Sequence, residues 1–273
     1  MFISRRSSFR TTAAALAVAA LAVAGPAEAA LADQVGATFA LMLQDVVEAF
    51  PPVTGLVVQV DGESLYLDLG KKNGVQPGQE FTVFRKGEVF YHPGTGKPLG
   101  RYEDVLGYAQ VQLVEPALSK AIFVPIEGQP LPKTEDGVRI TLGRIRVGVV
   151  PPVNLTPGRT DLRRVPFMLA LQLDQTRRFQ SADSGQVNEV LLNNKTKAEE
   201  LLVRPDRAIA LGKTLEVTGW LIPVLMERRG IIYLDVTWIS AVTGSALFSR
   251  RQALTRPEGA GEQRFPWEPR SED

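Results

Sequence analysis

Glycine and lysine occur together at three places in the chain, and this combination is how many proteins bind phosphate. The stretch LYLDLGKKNGVQPGQEFTVFRKG covers residues 65–87, GTGKP covers 94–98, and GKT covers 212–214. A phosphate-binding loop needs G-x-x-x-x-G-K-[ST] between a strand and a helix, because its amides surround the phosphates where the helix begins. Arg207 replaces the first glycine of the third stretch, and Pro98 replaces the hydroxyl residue after GTGK. The first stretch has no predicted helix start, so the three patterns predict turns rather than a nucleotide site.

Residues that could perform acid, base or metal chemistry are few. The chain has one histidine, His92, and no cysteine. Metal sites without cysteine usually need two or more histidines, and His92 lies in a Pro/Gly loop with no G-x-S-x-G motif anywhere in the chain. Asp235 lies within a predicted strand, opposite Leu234 and Val236, which predicts either the outer face of a sheet or a contact with another subunit. We therefore predict no catalytic residue, no cofactor and no metal site; a hydrolase would need a cleft that gathers scattered carboxylates.

Charge and composition describe an ordinary globular chain. Of 273 residues, 44% are hydrophobic and 22% are charged, and the net charge is +1. Paired arginines stand near predicted turns and are balanced by acidic residues. This charge balance favours solvent-exposed strand ends and predicts no nucleic-acid partner.

The first 29 residues have the features of a signal peptide. Three arginines precede the apolar run at residues 13–24, and Ala27 and Ala29 provide the small-x-small pattern at which such peptides are cleaved. The run is shorter than the roughly 20 residues that a membrane-spanning helix needs, although a retained anchor remains the alternative. Cleavage would change the net charge from +1 to −1 and leave no membrane span. We therefore expect a periplasmic protein.

The remaining residues predict two folded parts of different kinds. Residues 30–52 predict an amphipathic helix, packed on the next domain or docked on a partner. Residues 53–126 contain five or six short strands, including one in which Leu65, Leu67 and Leu69 share a face; this pattern predicts a small β-barrel. A polar linker follows at 127–138.

The second folded part is predicted at 139–256. Its pattern has the order β-α-β-α-β-β-β and indicates an α/β domain with a mixed sheet. Residues 257–273 are charged, contain several prolines and predict a disordered tail. The expected fold class is therefore α+β or α/β, with the barrel before the α/β domain.

Two resemblances to envelope proteins support this division. The segment VVQVDGESLYLDLGKKNGVQPGQEFTVFRKG, with HPGTGKPLG and LGYAQVQLVEPALSKAI, resembles the small carboxy-terminal β-domain of flagellar assembly protein T. The aspartate usual before the loop proline in that pattern is His92 here. The second part resembles the family that includes the middle domain of the same protein, the amino-terminal domain of TolB and the α/β part of CsgG. Its matching features are IRVGVVPPVNLT, RFQSAD, AIALGKTLEVTGWLIP and LDVTWISAVTGSALFS.

The resemblances imply a fold and an envelope setting. The turns that carry them lie at Gly70, Gly74, Pro77, Gly78, Pro93, Thr95, Gly96, Asn154, Gly212, Thr243 and Gly244. The two domains stand in the opposite order to those of the flagellar protein, and the lipidation cysteine and channel hairpins of CsgG are missing.

Two functions follow from the resemblances and from the residues. The first is a non-enzymatic periplasmic protein that supports a flagellar-basal-body-like envelope machine. Its partners would be envelope proteins, with self-association as an alternative. The second is a binding module for a small ligand or glycan at the junction of the two domains, because clefts between domains are common ligand sites.

Overall fold

A computed structural model describes residues 26–141, 143–157 and 160–254, and residues 26–30 of these by their backbone alone. The helices are α1 Pro26–Glu48, α2 Val165–Gln175, α3 Ser184–Asn193, α4 Glu200–Val203 and α5 Pro205–Leu215, with a short 3-10 helix at Lys71–Asn73. The strands are β1 Val53–Asp61, β2 Ser64–Leu67, β3 Glu80–Tyr91, β4 Pro98–Val114, β5 Ser119–Pro125, β6 Gly137–Ile140, β7 Ile145–Val149, β8 Val153–Leu155, β9 Phe179–Ser181, β10 Gly219–Arg228, β11 Ile231–Ser240 and β12 Ala246–Ala253. The chain is thus a mixed α+β protein with two sheets, as predicted in outline.

The first sheet is antiparallel, and its last strand in the pairing order also pairs with its first strand. The strands pair in the order β1-β2-β5-β4-β3-β6, and β6 pairs with both β3 and β1. Leu65, Leu67 and Leu69 are buried at 0%, 0% and 3% exposure, which agrees with the alternation of the sequence. A cyclic order of this kind is the pairing that a small barrel requires, since it leaves no sheet edge unpaired.

Strand β6 corrects the predicted domain boundary. The sequence pattern places 127–138 in a linker and begins the second domain at residue 139. Residues 137–140 instead form the strand that joins the two ends of the first sheet. Gly137 permits this pairing because a Cβ there would clash with the Phe84 ring on β3. The short run GVRI was missed because its partners are distant in the sequence.

The hairpin of β3 and β4 is longer than the sequence pattern predicts. The prolines and glycines of YHPGTGKPLGRYED, residues 91–104, favour a loop, but β3 continues to Tyr91 and β4 begins at Pro98. Only residues 92–97 connect them. Beyond Phe84 and before Val105, these strands pair only with each other among the described strands. We call residues 85–104 the hairpin arm.

The second sheet is mixed, with the order β12-β11-β10-β7-β9 and β8 beside β10. Strands β7, β8 and β9 run parallel to their neighbours, whereas β10, β11 and β12 form an antiparallel meander. The apolar run RIRVGVVPPV at 144–153 favours one buried strand, but the structure has two, β7 and β8, because Pro151 and Pro152 lack the N–H groups needed to continue the ladder. Three helices, α3, α4 and α5, lie between β9 and β10, and the stretches SGQVNEVLL and PDRAIALGK predict two of them.

Helix α1 packs on the second sheet although it precedes the first. It contacts α2, β11 and β12, and its side chains Val35, Phe39, Met42 and Val46 are at most 2% exposed. Gln172 on α2 donates a hydrogen bond to the Gly36 carbonyl at 3.0 Å. The first sheet is therefore inserted between α1 and β7, which belong to the same α/β layer. Helices α1 and α2 cover one face of the second sheet, and α3 and α5 cover part of the other.

Two sequence predictions concern segments at the chain ends. The apolar run of the predicted signal peptide and the predicted tail at 257–273 lie outside the described residues. Ala27 and Ala29, the predicted cleavage residues, lie in the first turn of α1. No helix in the described part of the chain is long and apolar enough to cross a membrane.

Candidate functional site

The predicted turn residues lie mostly at turns of the two sheets. Gly70 and Gly74 flank the 3-10 helix, Pro77 and Gly78 precede β3, and Gly74 and Gly78 have φ of 77° and 87°. The remaining turn residues occupy three other places in the fold. Pro93, Thr95 and Gly96 lie in the loop of the hairpin arm; Thr243 and Gly244 lie between β11 and β12; and Asn154 lies in β8.

Gly212 has a different role from the one its sequence context predicts. The pattern favours a helix C-cap at Gly212, but α5 continues to Leu215 and its C-cap is Glu216, with a φ of 52°. A Cβ at residue 212 would come within 2.5 Å of the Ala241 Cβ. Gly212 therefore permits close packing of α5 against the residue that follows β11.

His92 and Asp235, the two residues weighed for chemistry, are both engaged in local structure. The His92 Nδ1 accepts hydrogen bonds from the amides of Gly94 and Thr95 at 3.1 and 3.2 Å, a turn-bracing role that aspartate commonly fills. Asp235 accepts two bonds from Arg251 at 2.7 and 3.0 Å. Within the described ranges, no three His, Asp or Glu residues are grouped as a metal site would require.

The junction between the two sheets is organised by a buried arginine that sequence reasoning missed. Arg178, directly before β9, is 9% exposed. Its Nε donates to the Phe50 carbonyl at 2.8 Å, and its Nη1 donates to the carbonyls of Thr141 and Gly143 at 2.7 Å each. Burial lowers the pKa of this guanidinium. Both segments that connect the sheets, one after α1 and one after β6, are thus bound by one side chain.

A second polar contact crosses the junction at the first residue of β3. The Glu80 carboxylate accepts hydrogen bonds from Ser240 at 3.0 Å and from Thr243 at 2.5 Å. Burial raises the pKa of Glu80, and these two hydrogen bonds offset part of the increase. Thr243 was predicted as a turn residue, but Glu80 was not singled out because a carboxylate at a strand start has no distinctive pattern.

Two adjoining clefts lie at the same junction. The first has a volume of about 320 Å³ and is lined by Glu80, Arg139, Arg144, Arg146 and Trp238, among others. The second, of about 550 Å³, lies beside α5 and the end of β5. Tyr108, Thr218 and Val242 line both clefts. We call the first the arginine cleft and the second the α5 cleft.

Tyr108 stands between the clefts as a neutral phenol. Its burial, and then the nearby Glu80 carboxylate, raise the pKa of the hydroxyl. A protonated phenol can both donate and accept a hydrogen bond. The divider between the clefts is therefore an amphipathic side chain rather than an ionised one.

The tryptophans of the second sheet have separate environments. Trp238 lines the arginine cleft and packs on Phe50 with ring centroids 4.6 Å apart. Trp220 is fully buried under α5, where its Nε1 donates to the Ala208 carbonyl at 2.9 Å. Only one of the two therefore lies at the junction.

The hairpin arm exposes large apolar side chains beyond the first sheet. Tyr91, Leu99 and Tyr102 are 59%, 58% and 63% exposed. Phe90 stacks on Tyr102 with ring centroids 5.1 Å apart. Exposed aromatic residues on a projecting ribbon are a feature of protein-binding surfaces.

Comparisons with known proteins give only remote likenesses. No protein-family model and no curated protein matches the sequence. Among solved structures, the LpoB C-terminal domain from Escherichia coli is 15% identical, covering 41% of this chain and 82% of that one, with a TM-score of 0.35. Lipoprotein GNA1162 from Neisseria meningitidis is 16% identical, covering 43% and 85%, with a TM-score of 0.36. A PelC dodecamer from Paraburkholderia phytofirmans is 16% identical, covering 42% and 76%, with a TM-score of 0.27.

None of these three proteins is flagellar assembly protein T. Identities near 15% with TM-scores below 0.5 carry no argument about the activity or partners of this chain. The function is therefore argued from the residues of the chain itself.

Proposed function

We propose that this is an exported, non-enzymatic protein of the cell envelope that acts by protein–protein contact through its hairpin arm. The observation that carries the proposal is the exposure of Tyr91, Leu99 and Tyr102 on a two-stranded ribbon. Burying aromatic side chains of this kind is a principal source of binding free energy at protein interfaces. Along residues 85–104 the two strands pair only with each other among the described strands, so a partner strand could add at an outer edge.

The proposed setting is the periplasm, and the first machine to examine is a flagellar basal-body ring. The setting is supported by the arginine-led apolar run and the alanine pattern at the amino-terminal end. The ring is supported by the resemblance of both folded parts to segments of flagellar assembly protein T. Neither support depends on the arm, so the arm can be tested in any envelope assembly.

Site-specific photo-crosslinking in the native cell tests the contact. A benzophenone amino acid replaces Tyr91 or Tyr102 in the full chain, and Leu192 on α3, which is 68% exposed, serves as the control position. We expect an identified envelope protein to be crosslinked from the two arm positions and not from Leu192. The pair of substitutions Tyr91→Ala and Leu99→Ala, with the crosslinker at Tyr102, should reduce the yield at least tenfold. Recovery of uncrosslinked monomer from both arm positions would contradict the proposal.

A second candidate function is a binding module for a small ligand or glycan at the junction. The observation that favours it is the pair of clefts, since 320 and 550 Å³ lie within the approximate range of 300–1,000 Å³ typical of small-ligand sites. A thermal-shift screen of the full chain against sugars and small metabolites tests it. A ligand that raises the unfolding temperature in proportion to the logarithm of its concentration supports this function, and a screen without any such ligand contradicts it.

A further inference from the structure

The lining of the arginine cleft has an excess of positive charge. Arg139, Arg144 and Arg146 line it together with one acidic residue, Glu80. Both oxygens of Glu80 already accept hydrogen bonds from Ser240 and Thr243. The described lining therefore presents more guanidinium groups than carboxylates, and its carboxylate is occupied.

Arg146 and Arg144 each have a carboxylate partner that a ligand can replace. Arg146 pairs with Glu216 at 2.8 Å, but the Glu216 side chain is 77% exposed. Arg144 lies 3.8 Å from the Asp174 carboxylate, and its own side chain is 45% exposed. Its Nε and Nη2 donate to the backbone carbonyls of Phe179 at 2.8 Å and Asp174 at 3.1 Å, which fix the guanidinium at the cleft. Exposed ion pairs contribute little to stability, so exchanging one carboxylate for another anion costs little.

Unused donors remain on two of these side chains. A guanidinium carries five N–H donors. The ion pairs of Arg146 with Glu216 and of Arg139 with Glu103, the latter at 2.7 Å, involve Nη1. The Arg139 guanidinium also lies over the Phe84 ring, 4.3 Å from its centroid, and this contact uses no N–H donor. Each can therefore bind an anion while it keeps its protein partner.

Part of the cleft wall is apolar. Phe50, Ile140, Ile145, Trp238 and Leu247 line the same cleft. An apolar wall with a few converging polar groups is the usual composition of a small-molecule site. Arginine recognises carboxylate and phosphate groups with two parallel hydrogen bonds, which orients the ligand.

We propose that the arginine cleft binds a small amphipathic anion, with its carboxylate, sulfonate or phosphate held by Arg144 and Arg146 and its apolar body held by the wall around Trp238. The inference rests on the second candidate function and adds the chemical class of the ligand. A cleft of about 320 Å³ limits that ligand to a single short chain or a small ring system.

Calorimetric titration of the full chain tests the ligand class with three probes. Laurate carries both features of the proposed ligand, dodecanol carries the apolar body alone, and inorganic phosphate carries the charge alone. We expect measurable binding of laurate, with dodecanol and phosphate each at least tenfold weaker. Binding of either single-feature probe as tightly as laurate would overturn the proposal.

Arginine variants test the location. R146Q removes a guanidinium whose carboxylate partner is exposed, so the fold should be retained, and the double variant R144Q/R146Q removes both proposed anchors. We expect laurate affinity to fall at least threefold in R146Q and at least tenfold in the double variant. Arg163 is 89% exposed, pairs with Asp161 and lies outside the cleft lining, so R163Q should bind as the native chain does. Native affinity in R146Q, with an unchanged unfolding temperature, would overturn the assignment.

The binding module and the anionic class of its ligand can be disproved separately. If the native chain binds no laurate but the thermal-shift screen finds a neutral ligand, the anionic class is wrong and the binding module stands. If neither experiment finds a ligand, both are wrong.

Discussion

Arg178 donates a hydrogen bond to the Phe50 carbonyl at 2.8 Å, joining positions 128 residues apart in the sequence. The same guanidinium donates to Thr141 and Gly143 at 2.7 Å. Phe50 belongs to the segment that enters the first sheet, and Thr141 and Gly143 belong to the segment that leaves it. One side chain therefore determines how the inserted sheet is held against the α/β layer.

Replacing Arg178 with methionine should destabilise the protein by about 3 kcal/mol. Met keeps the apolar stem, but the buried carbonyl of Phe50 and the partly buried carbonyls of Thr141 and Gly143 lose their donor. Each buried group left unsatisfied costs roughly 1–3 kcal/mol, and a group that water can reach costs less. Urea unfolding followed by circular dichroism measures the change. Arg163→Met, at an exposed ion pair, should leave the unfolding midpoint unchanged. Equal midpoints for Arg178→Met and the native chain would show that the junction does not depend on this side chain.

The raised pKa of Glu80 leads to a second prediction, which concerns the pH dependence of folding stability. Burial raises its pKa above the unfolded value, and the hydrogen bonds from Thr243 and Ser240 only partly offset this. A raised pKa means that the folded state holds the proton more tightly than the unfolded state. The contribution of Glu80 to stability is therefore fully present below the unfolded pKa and is lost as pH rises through the folded pKa.

The variant Glu80→Gln removes this titration while retaining a carbonyl acceptor for one of the two hydroxyls. We expect the native chain to gain stability relative to Glu80→Gln as pH falls from 7.5 towards the ordinary carboxyl range near 4.5. Free energies of unfolding at several pH values, for both chains, measure the difference. A difference that is constant across this range would mean that Glu80 titrates as an ordinary exposed carboxyl.

The sequence predicted the elements more accurately than it predicted their connections. The alternation of Leu234, Val236 and Trp238 indicated a strand with one buried face, and all three are at most 1% exposed. The position of α1 was not predictable to the same degree, because its apolar stripe specifies burial but not the surface that buries it. Its contacts with α2 and β12 depend on chain segments more than 100 residues away.

The junction was missed for the same physical reason. The sequence around Arg178 does not distinguish it from other arginines beside a short apolar strand. Its acceptors are backbone carbonyls, and every residue has a backbone carbonyl, so the residue types give no signal of these bonds. The arginine cleft forms where β3, β6, β7 and β11 meet, so no local pattern could place Arg139 and Arg146 in one cleft. By contrast, the turn glycines Gly74 and Gly78 were predictable because positive φ is a local requirement.

Gly137 provides a test of the pairing that completes the first sheet. A Cβ at this position would overlap the Phe84 ring, which also lies 4.3 Å from the Arg139 guanidinium carbon. Gly137→Ala must therefore displace a buried aromatic ring, and overpacking of this kind costs about 1–3 kcal/mol. Gly87→Ala is the matched control, since a Cβ there would stand at an ordinary 3.4 Å from Tyr102. If both variants unfold at the same urea concentration, β6 does not pack on β3 as described.

Two variants of α1 test whether this helix is needed for the stability of the fold or is free to dock on a partner. Phe39 is fully buried and Leu41 is 64% exposed, two residues apart on the same helix. Phe39→Ala should cost about 3–5 kcal/mol, because it removes a large side chain from the core and leaves a cavity. Leu41→Ala should change stability by less than about 0.5 kcal/mol, as is usual for exposed positions. Urea unfolding of the two variants measures both values.

A small loss of unfolding free energy in Phe39→Ala would mean that α1 is dispensable for the second sheet and available to a partner. A large loss would show that the α/β layer needs a helix that precedes the inserted sheet in the chain.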